Sequence, residues 1–262
     1  MVLRFLTRSA RAAVIGLAAL AGLAANPALA QAPAFSDAQK KAIGEMVRDY
    51  LLANPEVIQE ALVELEKRQK DAEAAASKSA LRQNRAKIFD AQNAIVVGNP
   101  TGDVTLVEFF DYNCSYCRRA MENVESLMKA DPKLRVVLKD FPVLGPDSVE
   151  ASKVALAAKN QIPPARYWEF HKKLMSGPGR ATKARAIAVA KEFGADPARL
   201  EKDANDPAVS RRIDEIVTLG DALSLRGTPA FVIGEEVVFG AVPAEMLGKA
   251  IANVRQCGQV SC

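Results

Sequence analysis

The chain is poor in the residues that most often carry metal or acid–base chemistry. It has one histidine, His171, and four cysteines among 262 residues. A structural zinc site is badly served by that supply. Cys114 and Cys117 would make one half of it, but Cys257 and Cys262 have a four-residue gap that fits zinc spacing poorly, and His171 lies far off in sequence. The six methionines are not clustered, which counts against a methionine-rich copper protein. A Cu(I) ion held by the thiolates of Cys114 and Cys117 remains open as soft-ligand chemistry. Basic residues interleaved with aromatics are also missing, so nucleic acid is excluded as the expected partner. Past residue 30, no apolar run approaches the ~20 residues that a membrane-spanning helix needs.

The first thirty residues read as a secretory signal. Arg4, Arg8 and Arg11 form a basic start, and "AAVIGLAALAGLAA" is a short apolar stretch. "ALA" at 28–30 is a small-x-small cleavage pattern, leaving Gln31 as the new N-terminus. Residues 1–30 hold three of the 35 basic residues and no acid, so the exported part carries 32 basic against 31 acidic residues. Export, with the periplasm as the expected compartment, lets disulfides persist, and four cysteines are an even number. The domain is large enough to build a core without cross-links, so at least one pair is available for chemistry.

The pair at 114 and 117 has a telling context. "VTLVEFF" (104–110) is the β-rich apolar run of a strand buried on both faces. "DYN" ends it with turn residues. Met121, Val124, Leu127 and Met128 then recur at helical spacing. The cysteines therefore sit where a buried strand hands the chain to a helix N-terminus. Unpaired N–H groups and partial positive charge there stabilise a thiolate. Cys114 is expected to be the attacking thiolate and Cys117, one turn in, the resolving thiol. Glu108 interrupts the apolar strand. Buried there, it would have a raised pKa and could relay protons to the buried thiol. Lys139 is its expected partner from strand order, and His171, beside Trp168 and Phe170, is expected to pack rather than react.

The strand–CxxC–helix unit, with an acid six residues before the first cysteine, resembles the thioredoxin superfamily and its DsbA-like branch. "RGTPAFVIGEEVVFGAVPAEML" (226–247) is similar to that family's second half: a loop ending in a cis-proline, two strands and a helix. The resemblance implies that Thr228-Pro229 is the cis-proline site, packed beside the CxxC and pairing with substrate backbone. Between Cys117 and Pro229 lie far more residues than the roughly 40 that a minimal helix–strand–helix route needs. Residues 133–145 read as the strand just before the excess. Segments 148–160, 165–175, 181–194 and 207–223 have helical apolar spacing. The expected fold is thus α/β: a thioredoxin fold with a DsbA-like helical insertion at about 146–223.

Residues 31–90 are set apart from the thioredoxin domain at 91–262. Ser36 and Gln39 form a capping box ahead of Ile43, Met46, Val47, Tyr50 and Leu51 on one helix face. Asn54-Pro55 reads as the N-cap and N1 of a second helix, carrying Ile58, Leu62 and Leu65. Beyond Glu66 the stripe fades to alanine, giving a solvated stalk about 39 Å long if helical from Pro55 to Ala80. Two such helices hold too little apolar matter for their own core, so they must dock on the catalytic domain or on copies of themselves, and self-association is the favoured reading. This extension together with "FFDYNCSYC" and "RGTPAFVIG" resembles the suppressor-of-copper-sensitivity protein C (Com1-like) group of DsbA-family proteins. That resemblance implies oligomers, trimers among them, and thiol–disulfide isomerase activity on misfolded clients, kept reduced by a membrane redox partner and needing no cofactor. The chain lacks the histidine that DsbA has beside its second cysteine, which implies a less oxidising pair. A DsbA-like oxidase and a copper relay are the competing readings. The resemblance is silent on Cys257 and Cys262, whose plainest reading is a structural disulfide.

Overall fold

The computed structural model describes residues 35–90 and 95–262, so the expected signal sequence and its cleavage after Ala30 lie outside the described residues. The chain falls into two compact units, one running to Leu62 and the other spanning Val63–Cys262.

The first unit holds α1 (Asp37–Ala53) and the start of α2 (Glu56–Gln83). The capping box is present: the Gln39 N–H donates to the Ser36 hydroxyl, and the Ser36 N–H donates to the Gln39 side chain. Asn54 stands between the two helices, as expected: its backbone N–H and its side-chain amide both donate to the Tyr50 carbonyl at the end of α1, and its carbonyl accepts the Val57 N–H at the start of α2. Pro55 has no N–H to be capped, whereas the last carbonyls of α1 need donors. No residue of α1 is buried, and Ile43, Met46, Val47 and Tyr50 stand exposed on it.

The second unit is built on a five-stranded sheet in the order β1-β3-β2-β4-β5. The strands are β1 (Ile95–Gly98), β2 (Val104–Phe110), β3 (Leu134–Asp140), β4 (Ala230–Ile233) and β5 (Glu236–Phe239). β2 and β3 are parallel; β1 with β3, β2 with β4, and β4 with β5 are antiparallel. Alternation along β2 explains its continuous apolar run. Leu106 and Phe110 enter one core cluster, while Val107 and Phe109 enter the cluster on the other face. α4 (Ser115–Ala130) follows β2 and buries Cys117, Ala120, Met121, Val124 and Leu127. α10 (Ala244–Cys257) closes the chain.

The insertion between β3 and β4 comprises α5 (Pro146–Ala158), α6 (Pro164–Ser176), α7 (Lys183–Glu192), α8 (Pro197–Ala204) and α9 (Pro207–Ala222). α8 is an addition to the four expected helices. It has eight residues and buries only Leu200 and Ala204, too few for a periodic signal. β1, four residues long, escaped for the same reason. Close approach to the sheet side requires Gly220 on α9: a Cβ there would stand 2.5 Å from the Phe141 ring.

The second part of α2 is rooted in this unit. Leu81 is buried, and the Arg82 guanidinium pairs with the Glu235 carboxylate at 2.9 Å. After a break at Asn84, α3 (Arg85–Phe89) buries Ile88. Lys139 belongs to this root, not to Glu108. Its register partner is Phe109, so it projects to the face opposite Glu108, and its amine donates to the carbonyls of Lys87 and Asp90. Strand order placed the two residues near each other; strand parity separates them.

Candidate redox site

Cys114 is the N-cap of α4, with extended backbone (φ −85°, ψ 117°). That position aims its sulfur at the orphan donors of the first turn. Sγ accepts the Cys117 N–H at 3.3 Å, and the thiol meets the Thr228 carbonyl at 3.2 Å. The Thr228-Pro229 peptide is cis. Cys114 is 7 % exposed and Cys117 is fully buried, and both are unbridged. The two thiols are driven apart in acidity. Cys114 is lowered to about 6, first by its hydrogen bond with Cys117, with Thr228 and the N–H groups of Tyr116 and Cys117 adding to it against the opposing effect of burial. Cys117 is pushed far up by burial, then by its hydrogen bond with Cys114 and by the charge of Glu108. Glu108 lies behind the pair, 1 % exposed, and one of its carboxyl oxygens has no hydrogen-bond partner among the described residues. Burial, and then the charge of Cys114, raise it to about 8.

Comparisons with known proteins place the residues around this pair in a known family. A DsbA-like thioredoxin domain is matched over residues 105–252. The chain belongs to the DsbA-like thioredoxin family. Residues 39–72 of this DsbA-like chain match a copper resistance protein ScsC N-terminal domain. A thioredoxin-like oxidoreductase from Silicibacter pomeroyi DSS-3 superposes with a TM-score of 0.63 at 42% identity, over 66% of this chain and 99% of that one. A linker-deleted mutant of ScsC from Proteus mirabilis superposes with a TM-score of 0.64 at 25% identity, over 86% of this chain and 99% of that one. Among curated proteins, the Na(+)/H(+) antiporter NhaA 1 of Salinispora arenicola is 29% identical over 160 residues, 60% of this chain. The chain spans only 24% of that antiporter's length.

The structure brings all five expected site residues of the DsbA-like domain to one place: Cys114 and Cys117 in mutual contact, Thr228 and Pro229 over the sulfur, and Glu108 behind. It adds residues that the sequence reading did not single out. Asp111, wholly buried, accepts the N–H of Asn113 at 2.7 Å, the Ser148 hydroxyl at 2.7 Å and the Leu144 N–H at 2.9 Å. The Asn113 side chain clamps the backbone of Ala181, accepting its N–H at 2.8 Å and donating to its carbonyl at 3.1 Å. The loop before Cys114 is therefore fastened to the helical insertion. The signal was present in "DYN", since an aspartate two residues before an asparagine forms an Asx turn, but its distant partners were not.

His171 packs, as expected. It stacks on Trp168 at 5.3 Å, its Nδ1 meets the Tyr112 hydroxyl at 3.2 Å, and burial lowers it to about 3. Asp140 is a second buried acid on the sheet face of Glu108 and Phe110, raised to about 7 by burial. No group of three or more His, Cys, Asp or Glu residues able to hold a metal occurs among the described residues. A soft metal at this site would be held by the sulfurs of Cys114 and Cys117. Cys257 and Cys262 are bridged to each other.

Proposed function

We propose that this chain is an exported, periplasmic thiol–disulfide isomerase and reductase acting on misfolded client proteins through Cys114 and Cys117. The observation that carries the reading is the polarisation of the pair, one sulfur ready to attack and the other held as a thiol. Lowered to about 6, Cys114 is mostly thiolate at neutral pH. Tyr116 stands beside Cys117 where DsbA has a histidine, which favours a less oxidising role.

The Cys114 thiolate attacks one sulfur of a client disulfide. That S–S bond breaks, a mixed disulfide forms, and the other client sulfur leaves as a thiolate. If another client thiolate then attacks the mixed disulfide, a new client bridge forms, Cys114 returns as thiolate, and no net electrons move. If Cys117 attacks instead, its proton passes to Glu108 in its ionised form, the client sulfur is released, and the client has gained two electrons. The oxidised pair then needs a membrane-bound dithiol donor to restore it. Glu108, raised to about 8, can hold and release that proton near neutral pH. Thr228 and Pro229 position the client backbone. Tyr116, 57 % exposed between the two cysteines, and exposed Leu144 beside Asp111 offer apolar surface to unfolded chains.

The exposed stripe of α1 and its match to a ScsC N-terminal domain support a homo-oligomer, with a trimer favoured. Sedimentation analysis tests this, and a monomer at micromolar concentration would remove the assembly from the proposal.

The deciding experiment for the activity is refolding of a scrambled-disulfide substrate in mildly reducing buffer. Recovery that disappears in Cys114→Ala is expected. No recovery, with rapid oxidation of a reduced substrate by the preoxidised protein, would make it an oxidase. The copper reading, which the N-terminal match favours, predicts one tightly held Cu(I) per chain that blocks alkylation of Cys114.

A further inference from the structure

Self-association accounts for the first turns of α2 but not for residues 70–80, where alanine and serine replace larger apolar residues. A groove of about 800 Å³ lies along this stretch. Lys70, Glu73, Ala74, Ser77 and Ala80 line one side, and Gly227, Thr228 and Pro229, flanked by Arg226 and Phe239, line the other. The groove reaches the cis-proline loop of the site already described: it is lined by Thr228, whose carbonyl is 3.2 Å from the Cys114 sulfur. Its α2 wall is fixed at the root by buried Leu81 and the Arg82–Glu235 pair.

We propose that the stalk segment Lys70–Ala80 forms one wall of the client channel, with an extended stretch of unfolded client lying between it and the Gly227–Pro229 loop while the client sulfur is bonded to Cys114. This rests on the thiol-exchange reading above. Length sets the occupant. Ten residues of helix rise about 15 Å, which matches four to five residues of extended chain. Between the charged Lys70 and Glu73 at one end and the root at Leu81, the wall offers only alanine and serine, which leaves room for varied residues beside the client cysteine, as a protein acting on many sequences requires. Helix α2 therefore serves as a spacer at one end and a binding surface at the other.

The test compares two rates for each variant: mixed-disulfide formation with an unfolded, disulfide-containing polypeptide and with a small aromatic disulfide. Their ratio divides out any change at the thiol itself. Ser77→Trp and Ala74→Trp fill the groove and are expected to lower the ratio about tenfold. Ala75→Trp, on the far side of the helix, is expected to leave it unchanged. Equal ratios in all three variants and the parent would overturn the proposal. A second measurement uses Cys117→Ala carrying a photoreactive benzophenone at position 77, with a cysteine peptide trapped on Cys114. A crosslink to the peptide is expected. Crosslinks only to a second copy of the chain, or none to the peptide, would overturn the channel while leaving the exchange chemistry intact. A parent protein inert toward the small disulfide would instead overturn the exchange reading, and the channel with it.

Discussion

The chain carries two cysteine pairs, and helix ends treat them in opposite ways. Cys114 caps the N-terminus of α4, while Cys257 is the last residue of α10, followed by the left-handed Gly258. Unpaired N–H groups and a positive dipole end face the first sulfur; unpaired carbonyls and a negative end face the second. The first pair is buried beneath an opposing loop, and the second is exposed. They also lie at opposite ends of the domain. The Arg255 guanidinium beside Cys257 reaches Asp103, just before β2, and Asp131, just after α4, whereas Cys114 follows the far end of β2. Four sulfurs of the same element thus divide into a pair poised to exchange and a pair suited to stay bonded. The lesson is that a cysteine's chemistry is set by which end of a helix it terminates.

The largest effect tests that division directly. Cys114→Ala should reduce thiol exchange to the uncatalysed rate, because no other sulfur is both accessible and stabilised as a thiolate. The double variant Cys257→Ser/Cys262→Ser should exchange at the parent rate. Stopped-flow reaction with a small disulfide measures both. If the double variant also loses activity, the contrast between the pairs collapses.

A second effect, of intermediate size, concerns protons. Alkylation of Cys114 should rise with pH, reach half its maximum near pH 6 and be flat above about pH 7.5, since only the thiolate reacts. Glu108→Gln should keep that plateau but slow the attack of Cys117 on a trapped mixed disulfide by roughly 10²-fold, the usual worth of a positioned proton acceptor. Stability carries the matching sign. Folded Glu108 keeps a proton up to about pH 8 that the unfolded chain releases near 4.5, so the native state loses stability as pH rises through that window. Asp140 acts in the same direction, so the informative quantity is the difference between parent and Glu108→Gln. Melting curves from pH 5 to 9 should converge at the acid end and diverge by a few kcal/mol at the alkaline end, the variant being the more stable. Parallel curves would show that Glu108 is not held protonated by the fold.

What the sequence allowed to be read follows from range. β2 appears at the bounds its apolar run implied, and Ser36 and Gln39 cap α1 as their spacing required, because both signals are local. The cysteine–helix junction was legible for the same reason. The failures are short or distant. β1 and α8 are too brief to show a period. Asp111 serves Leu144 and Ser148, 33 and 37 residues away, and nothing near it in sequence announces those partners. Lys139 was assigned by neighbourhood along strands, but one residue of register put it on the opposite face, under α3.

The smallest effect is the stability lost with the second bridge. Six residues from Cys257 to Cys262 enclose a loop whose closure is worth at most about 2 kcal/mol in the chain-entropy account. Part of that order persists without the bond. The Asn253 side chain donates to the Val260 carbonyl at 2.8 Å, and Val260 packs against the main core. Cys257→Ser/Cys262→Ser should therefore lower Tm by only a few degrees, since each kcal/mol moves a domain of this size by about 2–4 °C. Scanning calorimetry of the oxidised parent and the double variant gives the number. A drop of ten degrees or more would mean that the bridge holds α10 against the sheet and that the domain end opposite the CxxC depends on covalent support. A small drop with unchanged exchange would fix the bridge as a local clasp and leave Cys114 and Cys117 as the only pair whose redox state the function reads.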